Sequence, residues 1–162
     1  MGASDLTAEG PGAESVARTL EAIVVGMGLD GARVAVAPGP DETDIEATVD
    51  GEGSSALVGR GGETIDALQY LLGQIASRAE GGSRRRVNLD ADGYRARRAA
   101  ALEELADQAA REAVQHGEEI ELDAMTPHDR RIVHMALKDR PEVVTRSEGE
   151  EPRRRIIVEP AE

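Results

Sequence analysis

Residues 57–72 constrain this chain more than any other stretch. Apolar Leu57 and Val58 run into glycines at Gly59, Gly61 and Gly62, and the next residues place Ile65, Leu68, Leu72 and Ile75 at helical spacing. A tight loop opening directly into a helix satisfies that pattern. Without Cβ atoms, such a loop can lie against something flat or bulky. The amides at a helix start lack intrahelical acceptors and favour an anion, and Arg60 at the loop tip adds positive charge. Gly59, Arg60, Gly61 and Gly62 are therefore a candidate clamp for a phosphate backbone. The competing reading is a plain glycine turn between two helices.

A net charge of -13 looks wrong for a nucleic-acid binder, so its distribution matters more than its sum. Residues 1–56 carry 2 basic and 11 acidic side chains, whereas residues 57–100 carry 8 and 5. Residues 101–124 are again acidic, with 1 and 8, and residues 125–162 balance at 8 and 8. Positive charge is thus concentrated in islands at Arg60, Arg84 to Arg86, Arg95 to Arg98, Arg130 and Arg131, and Arg153 to Arg155. Lys138 is the only lysine, and the planar fork of arginine suits phosphate and base edges. The chain has no cysteine, which excludes disulfides and thiolate metal sites and fits a reducing cytoplasm. Its longest apolar run, residues 22–29, contains two glycines and falls far short of the ~20 residues of a membrane span. No signal-peptide pattern opens it. A cytoplasmic, soluble protein is expected.

Residues 1–12, with few apolar side chains, read as a disordered tail. From 13 to about 27, Val16, Leu20, Ile23 and Val24 recur at helical spacing; residues 33–37 and 44–49 then alternate around the turn residues 38–41, predicting a hairpin. Residues 54–58 predict a short helix before the glycine loop. After the long helix, Gly81 and Gly82 break the chain, and 84–89 alternate with Val87 and Leu89 inward and Arg84, Arg86 and Asn88 outward. The order helix, strand, strand, short helix, glycine loop, helix, strand resembles the bacterial-type (type II) KH domain over residues 13–90. That resemblance implies a Gly-x-x-Gly clamp on single-stranded nucleic acid.

Asp90 and Asp92 predict the cap of a helix that runs to about residue 116, with an apolar stripe of Leu102, Leu105, Ala109 and Ala113. Arg95, Arg97 and Arg98 crowd its first turns. Cations there oppose the helix dipole, which suggests an external anion, although packing of their stems beside the sheet is an alternative. Residues 119–122 read as a short strand. Thr126 and Pro127 predict a helix to about residue 138, with Asp129 completing a capping-box-like pair, and residues 143–146 and 154–158 read as strands joined by a polar turn. On the Thr126 helix, Arg130 and His134 are four apart and share a face, with Lys138 one turn further; Arg131 adds charge, and Val133, Ala136 and Leu137 oppose them. An arginine fork and an imidazole in that arrangement make a small reader of phosphate and base. A solvated helix face with an ordinary histidine is the plainer reading.

The Arg-x-x-x-His spacing resembles the R-3-H domain, which binds single-stranded nucleic acid. Residues 125–137 and the following 143–152, together with 67–71 and the Tyr94, Arg95 and Arg98 junction, resemble the Jag family, also called the KhpB family. The resemblance covers everything but the tail. It implies an α+β protein of two domains: a KH domain at 13–90 and a small R-3-H α/β domain with a three-stranded sheet at 91–162. It also implies single-stranded RNA as ligand, control of cell elongation and division, and pairing either with a smaller KH protein as a heterodimer or with itself as a homodimer. By position, Gly59, Arg60, Gly61 and Gly62 would clamp RNA, and Arg130 and His134 would form the second contact; Arg84, Arg86, Arg131 and Lys138 are the candidate supporting basic residues. Many members carry a further N-terminal domain, where this chain offers only a dozen residues.

RNA binding without catalysis is the leading expectation. Tyr70 and Tyr94 are the only aromatics, so an extended stacking platform is excluded and binding must rest on backbone clamping and arginine. Replacing Gly61 and Gly62 by Asp is expected to abolish binding and leave the fold intact. A protein-interaction module that binds a partner through the acidic face of residues 103–123 and the KH sheet, with RNA binding secondary, is the alternative. Catalytic residues, metal and cofactor are expected to be absent: His116, His128 and His134 show no ligand spacing, and no Gly-Lys-Ser/Thr loop occurs.

Overall fold

The computed structural model describes residues 5–161, which divide into two compact units between Arg95 and Ala96. In the first unit the elements run β1 (Asp5–Leu6), α1 (Pro11–Gly26), β2 (Ala32–Pro38), β3 (Asp44–Gly51), α2 (Glu63–Ala79) and β4 (Arg86–Ala91). Two single 3-10 turns, Ser54–Leu57 and Arg60–Gly62, lead from β3 into α2. The sheet order is β1-β2-β3-β4. β2 and β3 form the antiparallel hairpin that the alternation predicts, in a register that pairs Val34 with Val49 and Val36 with Ala47. β4 runs parallel to β3, because a long helix carries the chain back across the sheet between them.

Period-two alternation buries Val34, Val36, Ile45, Ala47, Val49, Val87 and Leu89 on one face of this sheet. The apolar stripes of α1 (Val16, Leu20) and α2 (Ile65, Leu72, Ala76) complete the core there. Removing these side chains from water is the main favourable term in holding the unit together. Burying a leucine such as Leu20 or Leu72 contributes about 2 kcal/mol each.

Residues 5–12 depart from the expected tail, and residues 1–4 lie outside the described residues. Asp5 and Leu6 pair in parallel with Ala35 and Val36, the Thr7 amide donates to the Val36 carbonyl at 2.8 Å, Ala8 is buried, and Pro11 already starts α1. The physical reason is the open edge of β2. Its amides and carbonyls need partners, and even a two-residue strand supplies some.

The second unit contains most of α3 (Tyr94–His116), then β5 (Ile120–Glu121), α4 (Pro127–Leu137), β6 (Val143–Glu148) and β7 (Arg155–Pro160). Its three strands are antiparallel in the order β5-β7-β6. Leu102, Ala106, Ala109 and Ala113 of α3, Val133 and Leu137 of α4, and Val143, Ile156 and Val158 of the sheet make its core. Leu105, expected in the α3 stripe, is 38% exposed, and Ala106 takes the place. The spacing 102, 106, 109, 113 keeps the stripe tight around one line, and Leu105 falls off its edge. Thr126 caps α4 by accepting from the Asp129 amide at 3.2 Å, with Pro127 in the first turn, as the sequence predicts. On the sheet, Arg146 bonds Glu119, Glu148 and Glu159; its hydrogen bond to Glu159 is the largest cause raising its pKa above the usual arginine value.

Candidate nucleic-acid interface

The glycine loop is built from backbone conformations that side chains resist. Gly59 has φ 71° and ψ -174°, a region populated almost solely by glycine, while Gly61 (φ 60°, ψ 17°) and Gly62 (φ 88°, ψ 4°) are left-handed. The three positions differ in what surrounds them. A Cβ on Gly59 would collide with the Thr64 side chain and come within 3.0 Å of its amide nitrogen; one on Gly62 would meet the Tyr94 hydroxyl at 2.6 Å. A Cβ on Gly61 would meet nothing within 4 Å. Packing therefore demands glycine at two corners of the loop, and the third faces open space.

That geometry corrects one expectation. An aspartate at Gly62, which is buried, would press on Tyr94, so the double replacement of Gly61 and Gly62 carries a stability cost that Gly61 alone avoids. Of the three, Gly61 alone could take a Cβ without bringing it within 4 Å of another protein atom.

The start of α2 follows from the same loop. Its N-cap is Gly62, which brings no capping side chain. The Glu63 amide bonds the Arg60 carbonyl and the Ile65 amide bonds the Val58 carbonyl at 3.2 Å, fixing the loop on the helix. Arg60 is exposed and its side chain makes no hydrogen bond or ion pair among the described residues. Glu63, also exposed, tempers the positive field.

Further along α2, its outer side and β4 enclose an open groove of about 320 Å³, to which Tyr70, Gln69, Arg84 and Arg86 contribute. Tyr70 is 67% exposed and presents a ring available for stacking. The three arginines here are unequal. Arg84 is exposed and unpaired among the described residues, Arg86 stands 3.5 Å from Asp44, and Arg85 is tied back to the Glu42 carbonyl at 2.6 Å and to Glu80 at 3.3 Å. Tyr70 is a contributor that the sequence did not single out, although its place on the helix beyond the loop was the available signal.

The arginines crowding the start of α3 have protein partners. Arg95 donates to Asp66 at 2.7 Å and to the Leu89 carbonyl at 3.2 Å, and its amide is capped by Asp90 at 3.0 Å. Arg98 places two nitrogens on Asp129 Oδ2, at 2.8 and 3.1 Å. Internal carboxylates thus answer these charges, and no external anion is needed to explain them.

On α4 the structure separates residues that the spacing had joined. Arg130 is buried: Nη1 donates to the Met125 carbonyl at 2.8 Å, and its fork grips Glu151 at 2.5 and 3.3 Å. His134 is exposed, with Nδ1 2.6 Å from Thr145 Oγ1. Arg130 and His134 therefore do not form one open site. The exposed row is instead Arg131, His134 and Lys138, at i, i+3 and i+7, and neither Arg131 nor Lys138 has an intramolecular partner among the described residues. Among the described residues no cluster of His, Asp and Glu is placed to hold a metal ion, and no helix is long and apolar enough to cross a membrane.

Comparison with known proteins matches both units. The KH domain model of KhpA/KhpB matches residues 17–89, and the R-3-H domain model matches residues 100–160. RNA-binding protein KhpB of Clostridium symbiosum is 38% identical over 117 residues, covering 72% of this chain and 52% of the relative. The protein of the same name from Lactiplantibacillus plantarum is 42% identical over 102 residues, 63% of this chain and 31% of the relative. That from Bacillus subtilis is 30% identical over 112 residues, 68% of this chain and 53% of the relative. The chain thus spans about half the length of two of these relatives and about a third of the other.

Proposed function

We propose that this chain, which belongs to the KhpB family of proteins with a KH and an R-3-H domain, binds single-stranded RNA and performs no catalysis. One observation carries the reading: at Gly61 the loop is free of side chains and open, next to an arginine with no partner among the described residues. A sugar-phosphate backbone can approach such a corner closely, with Arg60 supplying charge. The groove beyond it offers Arg84 and Arg86 for further phosphates and Tyr70 for one base. In the second unit, Arg131, His134 and Lys138 form the ligand-facing row. Two modest sites in one chain raise each other's effective concentration, so binding is salt-sensitive and stronger than either site alone.

The names of the relatives support RNA as the ligand. A post-transcriptional role in cell elongation and division, a cytoplasmic location and pairing with a smaller KH protein rest on the family resemblance. Crosslinking in cells, followed by sequencing of the bound nucleic acid, tests the reading when the native chain is compared with Gly61→Asp. Transcripts enriched by the native chain and lost by the variant support it. Equal, sparse recovery from both, with a protein captured instead, points to an interaction module.

A further inference from the structure

At the first turn of α4 stand two adjacent buried charges of opposite sign, Asp129 and Arg130. Asp129 is held by Arg98. Arg130 reaches in a different direction, to Glu151 in the turn between β6 and β7, and its fork meets both carboxylate oxygens. The same turn is fastened a second time, because the Met125 amide donates to the Arg154 carbonyl at 3.1 Å while the Met125 carbonyl accepts from Arg130. One helical turn beyond Arg130, His134 makes another link from α4 to this hairpin, through Thr145 of β6.

These links share two elements. The hairpin is latched to α4 at Glu151, and the hydroxyl that orients the His134 ring lies on one of its strands. With Nδ1 engaged by Thr145, Nε2 is the ring nitrogen left for a ligand. A phosphate, by contrast, could reach Arg130 only by displacing Glu151 from a side chain that is 10% exposed.

We propose that Arg130 is a positioning residue and not an RNA contact: with Glu151 it latches the β6–β7 hairpin onto α4, holding Thr145 against His134 so that the imidazole presents Nε2 to RNA. This rests on the reading of the second unit as an RNA-binding module.

The test uses the full chain and a short fluorescein-labelled single-stranded RNA of randomised sequence. Glu151→Gln, Arg130→Gln and the double variant are compared by anisotropy, and the His134 ring nitrogens are followed by NMR. Each single variant is expected to weaken binding severalfold, the double variant no more than the worse single one. In Glu151→Gln the His134 ring signals should shift toward a mixture of tautomers. If Arg130→Gln fails to fold, the Glu151→Gln results decide. Tighter or unchanged binding by Glu151→Gln would overturn the proposal, since it would mean that Glu151 masks a phosphate contact or holds nothing that matters. Unchanged His134 ring signals would overturn it whatever the affinity. The RNA reading itself is checked separately by Arg131→Gln with Lys138→Gln, which leaves the latch intact; wild-type affinity there defeats that reading, and the ring signals still judge the latch.

Discussion

At the glycine loop the first unit offers almost no side chain, whereas along α4 the second unit offers little else. The loop depends on backbone conformations that two of its glycines could not keep with a single added methyl group, and a lone exposed arginine completes it. The α4 row depends on three exposed side chains, of which Arg131 and Lys138 have no intramolecular partner among the described residues. At Gly59 and Gly62 the first site is therefore coupled to stability, whereas Arg131 and Lys138 of the second are graded and uncoupled from it.

The largest effect is expected at Gly59. Alanine there occupies a glycine-only conformation and collides with Thr64, at a cost of about 3 kcal/mol, read as a lower thermal midpoint for the first unit. Gly62→Asp should follow at about 2 kcal/mol, because it presses a carboxylate into Tyr94. Gly61→Asp, by contrast, should lose no more than about 1 kcal/mol, since aspartate tolerates the left-handed region and the space is open. Equal destabilisation at all three positions would erase the distinction between packed and ligand-facing corners.

Next comes Tyr70→Ala. The ring is exposed, so unfolding should be unchanged, while RNA affinity falls by about 1 kcal/mol if one base stacks on it. The smallest effects belong to the α4 row. Arg131→Gln and Lys138→Gln should each leave stability within about 0.5 kcal/mol. A titration over salt concentration should find the slope of log affinity against log salt reduced by about 0.7 for each phosphate contact removed. A steep all-or-none loss from either single change would show that the row is not graded.

What the sequence made legible follows a physical division. Elements set by local periodicity and turn chemistry were readable: the hairpin around residues 38–41, the α4 cap at Thr126 and the three strands of the second unit. Strand β1 was not, because two residues carry no alternation, and what holds them is the edge of a strand some thirty positions away. Leu105 was misplaced for a related reason: hydrophobicity alone does not say that a closer line of alanines will be the buried one.

The site divides in the same way. Glycines at 59, 61 and 62 announced a tight loop, yet their different duties depend on Thr64 and Tyr94, and Tyr94 lies thirty-two residues beyond Gly62. Arg130 looked like a ligand contact because its spacing to His134 is visible in one dimension. Its carboxylate partner, Glu151, is twenty-one residues away and is not. The arginines at the start of α3 misled likewise, since Asp66 and Asp129 answer them from other helices. Buried charges find partners in three dimensions, and spacing along the chain does not reveal which charges will be buried.

The measurement that bears most directly on the central claim is the affinity of Gly61→Asp for a short single-stranded RNA, determined beside its thermal unfolding. A midpoint close to that of the native chain and an affinity weakened at least about tenfold are expected, because a negative charge would stand where a phosphate must approach. A variant that folds normally and binds RNA as tightly as the native chain would contradict that claim.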